Sequence, residues 1–550
     1  MKTIEATNFI EQIINDDIEN DKIQAVQTRF PPEPNGYLHI GHIKSMLVNF
    51  GTAEKYDGKC NLFFDDTNPS KEKTEFVDAI RKDIEWVGYK WSKEVYASDF
   101  FEVIYDYAEK LIQDGKAFVC DLSPEEISIT RGTLTEAGKE SPYRNRSVEE
   151  NLQLFREMRD GKYPDGSKCL RAKIDMASPN MNMRDPVIYR ILRATHHRTG
   201  DKWCIYPMYD FAHPLQDSFE GITHSLCSLE YDNHRILYDW FIENCEMKHV
   251  PHQYEFGRLN ITNTIMSKRY LRALVDAGKV MGYDDPRMPT LCGLRRRGFT
   301  PDALRNFILG TGLSRVNSTV ESDTLDEELR NDLKLKTLRP NAIINPVKVI
   351  IDNYPEDQIE YLDCPNNPEV PEMGERKISF SREVYIERDD FIEVKPNKKW
   401  KRLALGVEVR LMHAYFITAN SVEKDENGNI TVIHATYDPE TRSGSGFDAR
   451  KPNGNIHFVD AKTAIEAEFR LFEPLMLDIT EENKDLDFME RLNPSSLQIV
   501  NGYVEESLKD TKPLEHYQFI RNGYYTTDKD STENKLVFNR TCGLKSSFKL

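Results

Sequence analysis

The sequence has no Cys-x-x-Cys pair; its nine cysteines stand scattered along the chain. Structural zinc needs clustered ligands, so neither a metal site on the protein nor a disulfide framework is expected, and buried thiols are. No apolar run approaches the roughly 20 residues that cross a bilayer, which argues against a membrane. The first residues, MKTIEATNFIEQIINDD, are acidic and hold no apolar signal core, so a cytoplasmic location is expected. Gly-x-x-x-x-Gly-Lys-[Ser/Thr] is absent, and the Gly-x-Gly at Gly444-Ser-Gly446 sits among turn residues. Internal repeats and low-complexity tracts are absent too. An excess of positive charge is also missing: the net charge of -18 argues against a non-specific nucleic-acid coat, and no DNA partner is expected.

What is present belongs to a multidomain globular protein. At 550 residues the chain exceeds one hydrophobic core, and 39% hydrophobic residues with 25 Tyr and 27 Phe can fill several. Up to about residue 97 the pattern alternates: Ile23–Phe30 and Cys60–Phe64 read as strands, 38–56 and 73–87 as helices. That rhythm predicts a parallel sheet in an α/β layer. The segment 98–209 is mixed, with loops around Thr133–Ser147, and the α/β character returns at Cys204–Met208 and Gln253–Leu259. From 260 to about 338 the pattern is helical, with Thr300-Pro301-Asp302 a good helix start. After Asn341, short alternating strands (Val347–Ile351, Glu408–Leu411, Ile430–Thr436) and turns such as Glu426-Asn-Gly428 predict small β-barrels. Two basic clusters, Arg295-Arg296-Arg297 and Lys398 to Arg402 around Trp400, fit either solvated faces or RNA contacts.

The stretch RFPPEPNGYLHIGHIKSM, residues 29–46, runs a strand into a proline-rich loop and then a helix. His39 and His42 share one face of its first turn, where each can donate to a phosphate oxygen, and Gly41 leaves room for a flat ring. Alone, the four residues also fit two half-exposed helix histidines. Ile265-Met266-Ser267-Lys268-Arg269 adds a mobile cation suited to phosphates. Together they point to ATP chemistry without a P-loop.

HIGH at 39–42 followed by MSK at 266–268 resembles the class I aminoacyl-tRNA synthetases. Longer strings are similar to the glutaminyl branch of the glutamyl/glutaminyl subfamily: FDDTNP (64–69), RGTLT (131–135), SPYRNRSVEENL (141–152), CLRAKIDMASPN (169–180), QYEFGRLN (253–260) and DDPRMPTLCGLRRRG (284–298). The resemblance runs over nearly the whole chain. It implies a Rossmann-like HIGH-superfamily catalytic domain split into 1–97 and 210–259, with an inserted acceptor-stem-binding domain at 98–209. A helical subdomain with the MSK loop (260–338) and two all-β anticodon-binding barrels (339–550) follow. The implied reaction activates L-glutamine with ATP, in a tRNA-dependent step, and transfers it to tRNA(Gln); at least one Mg2+ and a monomer are expected.

The same resemblance assigns the site. His39, His42 and Lys268 are the catalytic candidates. ATP falls to Glu33, Pro34, Asn35, His39, Ile40, Gly41, His42, Ile43, Lys44, Ser45, Ser228, Arg258, Leu259, Met266, Ser267 and Lys268. Asp65 is expected to hold the α-ammonium of glutamine, Tyr209 its amide, and Gln253 to act near it through water. Where glutamyl relatives carry an arginine, this chain has Cys227; a neutral side chain leaves a glutamate carboxylate unpaired and so favours glutamine. Arg339, Arg402, Arg410, Gln518 and Arg521 match anticodon positions. Two stretches depart from the family pattern: Lys399 at an anticodon position, and Asp232-Asn233 where relatives place an aspartate near the acceptor end. The alternatives are a glutamyl enzyme of archaeal/eukaryotic type and an inactive tRNA-binding paralogue, which would have lost the histidines, Lys268 or Asp65.

Overall fold

The computed structural model describes residues 2–545, which fall into two compact units. Unit 1 comprises Met1–Ile261 and Ile308–Val320; unit 2 comprises Thr262–Phe307 and Glu321–Leu550.

In unit 1, strands β1 (Gln27–Phe30), β2 (Lys59–Phe64) and β3 (Glu94–Tyr96) pair in parallel with β2 in the middle. The chain then leaves for an antiparallel sheet of β4 (Ala117–Cys120), β5 (Cys169–Ala172), β6 (Val187–Ile191) and β7 (Ile205–Pro207). It returns as the parallel pair β8 (His224–Ser228) and β9 (His252–Phe256). The Thr223 N–H donates to the Gln27 carbonyl (2.9 Å), so β8 lies beside β1 on the side away from β2. The resulting order β3-β2-β1-β8-β9 is that of a Rossmann-type sheet, whose connections part at β1 and β8.

The helix after β1 covers Ile40–Met46, passes through a π-helical turn at Leu47–Gly51, and ends with Thr52–Lys55. One continuous helix was expected over 38–56. The Thr28 hydroxyl of β1 donates to the Asn49 carbonyl inside the π turn (2.8 Å), which ties the widened turn to the sheet. Thr74–Val87 fills the other crossover and stops at Gly88, whose φ of 99° suits only glycine cheaply. A single apolar core joins the inserted sheet to the helices Phe101–Gln113, Val148–Arg159, Tyr209–Phe219 and Arg235–Asn244. Tyr105 stacks on Phe155 at its centre (ring centroids 4.7 Å).

A strand escaped the sequence reading. β10 (Leu259–Ile261) pairs in parallel with β11 (Ser318–Val320), so a segment after the helical region returns to unit 1. Gly257 permits the close approach: a Cβ there would meet the Val316 carbonyl oxygen at 1.9 Å.

Thr300 of unit 2 caps the helix that starts at Pro301, its hydroxyl accepting from Ala303 N (3.2 Å), as Thr-Pro-Asp predicts. A seven-stranded sheet around Val349, Ile417 and Ile433 and a six-stranded sheet around Phe469, Phe519 and Phe538 form separate cores. The expected strands appear at Pro346–Ile351, Glu408–Leu411 and Ile430–Asp438. The edge strand Ala342–Ile343 pairs with Tyr503–Val504, so the six-stranded sheet takes in residues from before the seven-stranded one. The arginine cluster at 295–297 is not a solvated face: Arg296 is buried and bound to Asp528 (2.9 Å) and Asp530 (2.9 Å), and Arg297 donates to the Thr541 carbonyl.

Candidate active site

Within unit 1 the candidates gather beyond the carboxyl ends of the parallel strands, where a sheet of this order binds its ligands. His39 follows β1, Asp65 follows β2, Ser228 ends β8, and Arg258 follows β9.

His39 is the N-cap of its helix. Its extended backbone (φ -127°, ψ 172°) lets Nδ1 accept the Gly41 N–H at 3.1 Å. In return the His39 N–H donates to Nδ1 of His42 at 3.1 Å. Nδ1 of His39 therefore acts as an acceptor, which leaves the proton of its neutral ring on Nε2, while Nδ1 of His42 lies 3.3 Å from the His39 carbonyl as well. The two rings lie 4.0 Å apart. Local chemistry thus holds two imidazoles side by side at a helix start, an arrangement suited to anionic oxygens. Ile40 and Ile43 are buried, and Lys44 is buried with its pKa lowered by that burial. Ser45 accepts from Asn49 through its carbonyl (3.0 Å). Pro34 is buried, and Asn35 hydrogen-bonds Glu33. Ser228 and Arg258 both bind Glu230, at 2.8 and 3.0 Å, and Leu259 is buried in β10.

Asp65 is 6% exposed, and burial pushes its carboxyl up to about 7, with repulsion from Glu33 and Asp66 adding and the Thr67 hydrogen bond (2.8 Å) opposing. Such a group gains most from a cation of fixed position. Nearby Glu72 is pushed up to about 9 by burial and then by Asp66, and its Oε2 has no hydrogen-bond partner. Tyr209 stacks on His213 (4.9 Å) and packs on Tyr231 (5.2 Å). The Gln253 amide nitrogen donates to the Tyr231 carbonyl (3.2 Å) and to Glu255 (3.0 Å).

Around Cys227 the structure adds residues that the sequence reading missed. Arg29 of β1 is 1% exposed. It donates to Asp217 (2.9 Å), the Ser225 hydroxyl (2.9 Å), the Leu226 carbonyl (3.2 Å) and Cys227 Sγ (3.4 Å), and touches His213. Asp217 also accepts from Ser225 (2.6 Å) and Tyr238 (2.9 Å). Although burial opposes it, Arg29 and His213 hold Asp217 well below the usual carboxylate range. Burial raises the Cys227 thiol, which stays neutral. A cation is therefore present beside Cys227, with its charge already matched by Asp217. One signal was legible: an arginine in a strand otherwise destined for burial needs a partner.

Residues 25–335 match the family described as tRNA synthetases class I (E and Q), catalytic domain. Residues 338–438 and 455–528 match its anti-codon binding domains. The chain is 59% identical to a glutamine–tRNA ligase of Clostridium perfringens, over 99% of both chains. It is 57% identical to one of Clostridioides difficile, over 99% of this chain and 98% of the other. A third, of Vibrio cholerae, is 54% identical over 98% of each. The chain belongs to the class I tRNA synthetases for glutamate and glutamine.

The second signature of this synthetase lies in unit 2. Met266 and Ser267 precede the helix Lys268–Asp276, which packs through Leu271 and Leu274 on Leu475, while Tyr270 stacks on Phe488 (4.3 Å). The anticodon candidates are all in unit 2 as well. Arg339 pairs with Glu369 (2.7 Å). Arg402 (3.4 Å) and Arg521 (2.5 Å) share Asp390. Arg410 points inward, donating to Ser443 (2.8 Å) and the Thr441 carbonyl (3.1 Å) across the Phe416 ring. Gln518 has a buried Oε1 with no hydrogen-bond partner. In the departing stretch, the Asn233 carbonyl accepts from Asn180 (2.8 Å) and Asn182 (3.2 Å), and His234 pairs with Asp210 (2.7 Å).

Proposed function

We propose that this synthetase is a glutamine–tRNA ligase, which converts ATP, L-glutamine and tRNA(Gln) to glutaminyl-tRNA, AMP and diphosphate. The observation that carries the choice of glutamine is the neutral pocket beside Tyr209. Cys227 is uncharged, and the Arg29 charge is matched by Asp217 at 2.9 Å, so a glutamate carboxylate finds no spare cation. A glutamine amide asks only for hydrogen bonds. The curated relatives of 54–59% identity, named as glutamine–tRNA ligases, support the same choice.

In this reading Asp65 receives the α-ammonium, Tyr209 the amide, and Gln253 acts near it. The glutamine carboxylate attacks the α-phosphorus of ATP. Charge building there meets the imidazoles of His39 and His42 and the ammonium of Lys268; stabilisation, not proton transfer, speeds this step. Glu33, Pro34, Asn35, Ile40, Ile43, Lys44, Ser45, Ser228, Arg258, Leu259, Met266 and Ser267 complete the nucleotide site. Mg2+ arrives bound to the ATP phosphates as part of the substrate. A ribose hydroxyl at the tRNA 3′ end then takes the acyl group. Segment 98–209 holds the acceptor stem, 260–338 carries the MSK loop, and the barrels of 339–550 read the anticodon through Arg339, Arg402, Arg410, Gln518 and Arg521. The enzyme acts as a monomer in the cytoplasm.

Pyrophosphate exchange with glutamine or glutamate, each with and without tRNA, tests the reading. Exchange with glutamine and only in the presence of tRNA is expected. Exchange with glutamate alone would overturn the substrate, and exchange without tRNA would overturn the tRNA dependence.

A further inference from the structure

The inserted sheet of unit 1 carries a feature outside the aminoacylation chemistry. Cys120, the last residue of β4, stands directly opposite Cys169, the first residue of β5, in an antiparallel pair. Residues so placed have Cα atoms about 4.5–5.5 Å apart and side chains on one face, inside the roughly 4.4–6.8 Å that a disulfide spans. Among the described residues, no other cysteine faces a second one across a strand pair. The pair closes a small satellite core with Phe118 under Leu122, Ile127 and Tyr143.

The surroundings favour a reactive sulfur over an inert one. Cys120 Sγ lies 3.4 Å from the Ser141 hydroxyl and 3.8 Å from an Arg171 guanidinium nitrogen. The neighbouring Cys169 thiol, hydrogen-bonding to it, draws Cys120 below the usual thiol range, with Ser141, the Leu122 N–H and Arg171 adding and burial opposing. Cys169 is correspondingly raised, so Cys120, beside Ser141 and Arg171, is the sulfur whose surroundings favour the nucleophile and Cys169 the resolving thiol. Cys120 is 0% exposed and Cys169 8%, which restricts the oxidant to a small one.

We propose that Cys120 and Cys169 form a reversible disulfide when a small peroxide reaches them, making the β4–β5 edge a site of oxidative modification. The Cys120 thiolate attacks one peroxide oxygen, the O–O bond breaks, and hydroxide leaves as a sulfenic acid forms. Cys169 then attacks that sulfur and water departs. In sum, two thiols and one hydrogen peroxide give one disulfide and two waters. Ser141 and Arg171 lose the thiolate as an acceptor, so the change is felt in the loop that follows Cys120.

The test treats the full chain with hydrogen peroxide, alkylates the remaining thiols after denaturation and digests without reductant. The expected result is a cross-linked pair of peptides carrying Cys120 and Cys169, a drop of two from the nine free thiols, and full recovery with dithiothreitol. In Cys169→Ala the cross-link vanishes and dimedone labels Cys120. Retention of all nine thiols, or oxidation at Cys227 before this pair, would overturn the proposal. The wild-type peptide map decides the matter even where the variant folds poorly.

Discussion

Asp65 sits where a carboxylate is least stable by itself. Its folded pKa of about 7 exceeds the 3.8 of an unperturbed aspartate, so between these values the folded protein binds more protons than the unfolded one. Its contribution to stability therefore falls as pH rises through that window. An ammonium placed against Asp65 must displace that proton at low pH. The KM for glutamine in pyrophosphate exchange is accordingly expected to rise as pH drops below about 7. Asp65→Asn removes both effects: it should raise Tm above pH 7 while lowering kcat/KM for glutamine by ~100-fold. A variant that kept full activity would remove Asp65 from the ammonium site. Legibility at this scale was uneven. FDDTNP pointed to Asp65, whereas Arg29 passed unremarked, because its significance lies in Asp217, Ser225 and Cys227, nearly two hundred residues away.

Among the elements, the HIGH helix serves two purposes through one residue type. His39 caps the helix with Nδ1, which leaves Nε2 as the donor of its neutral ring. His39→Asn keeps a good cap and loses the imidazole donor, whereas His39→Ala loses both. Adenylate formation should fall by ~100-fold in both variants, with an added loss of about 1 kcal/mol in denaturant midpoint stability only in the alanine variant. Equal stability losses in the two would deny the cap. A second element-scale prediction concerns Gly257. Its alanine variant would drive a Cβ into the Val316 carbonyl, so urea melts should show a loss of about 2–4 kcal/mol as β10 and β11 part. That pairing was invisible in the sequence: three-residue strands joined across some sixty positions leave no periodicity to read. The HIGH helix was legible because its apolar spacing and its helix start are both local.

For the whole molecule, the division into units matters most for Lys268. HIGH belongs to unit 1, and Lys268 to unit 2. Lys268→Ala is expected to slow pyrophosphate exchange by ~100-fold or more while leaving the Kd for tRNA within about threefold. Equal losses in both would make Lys268 a structural residue. The net charge of -18 means that tRNA must be drawn to local basic patches. Of the two clusters seen in the sequence, Arg296 and Arg297 turn inward, while Lys398, Lys399 and Lys401 stay exposed. Charge type is written in the sequence; the direction a side chain faces is not.

By itself the sequence determined the α/β rhythm of the first hundred residues, the capped helix at Thr300, the late β strands and the signatures at 39–42 and 266–268. Each depends on neighbours within a turn or two, where propensity, capping and alternation act. Only the tertiary structure decided that β8 lies beside β1, that 308–320 returns to unit 1, that Arg29 is matched by Asp217, and that Cys120 faces Cys169. These contacts join residues far apart in the chain. Their partners are chosen by burial, which leaves no polar group inside without a counterpart except at considerable energetic cost.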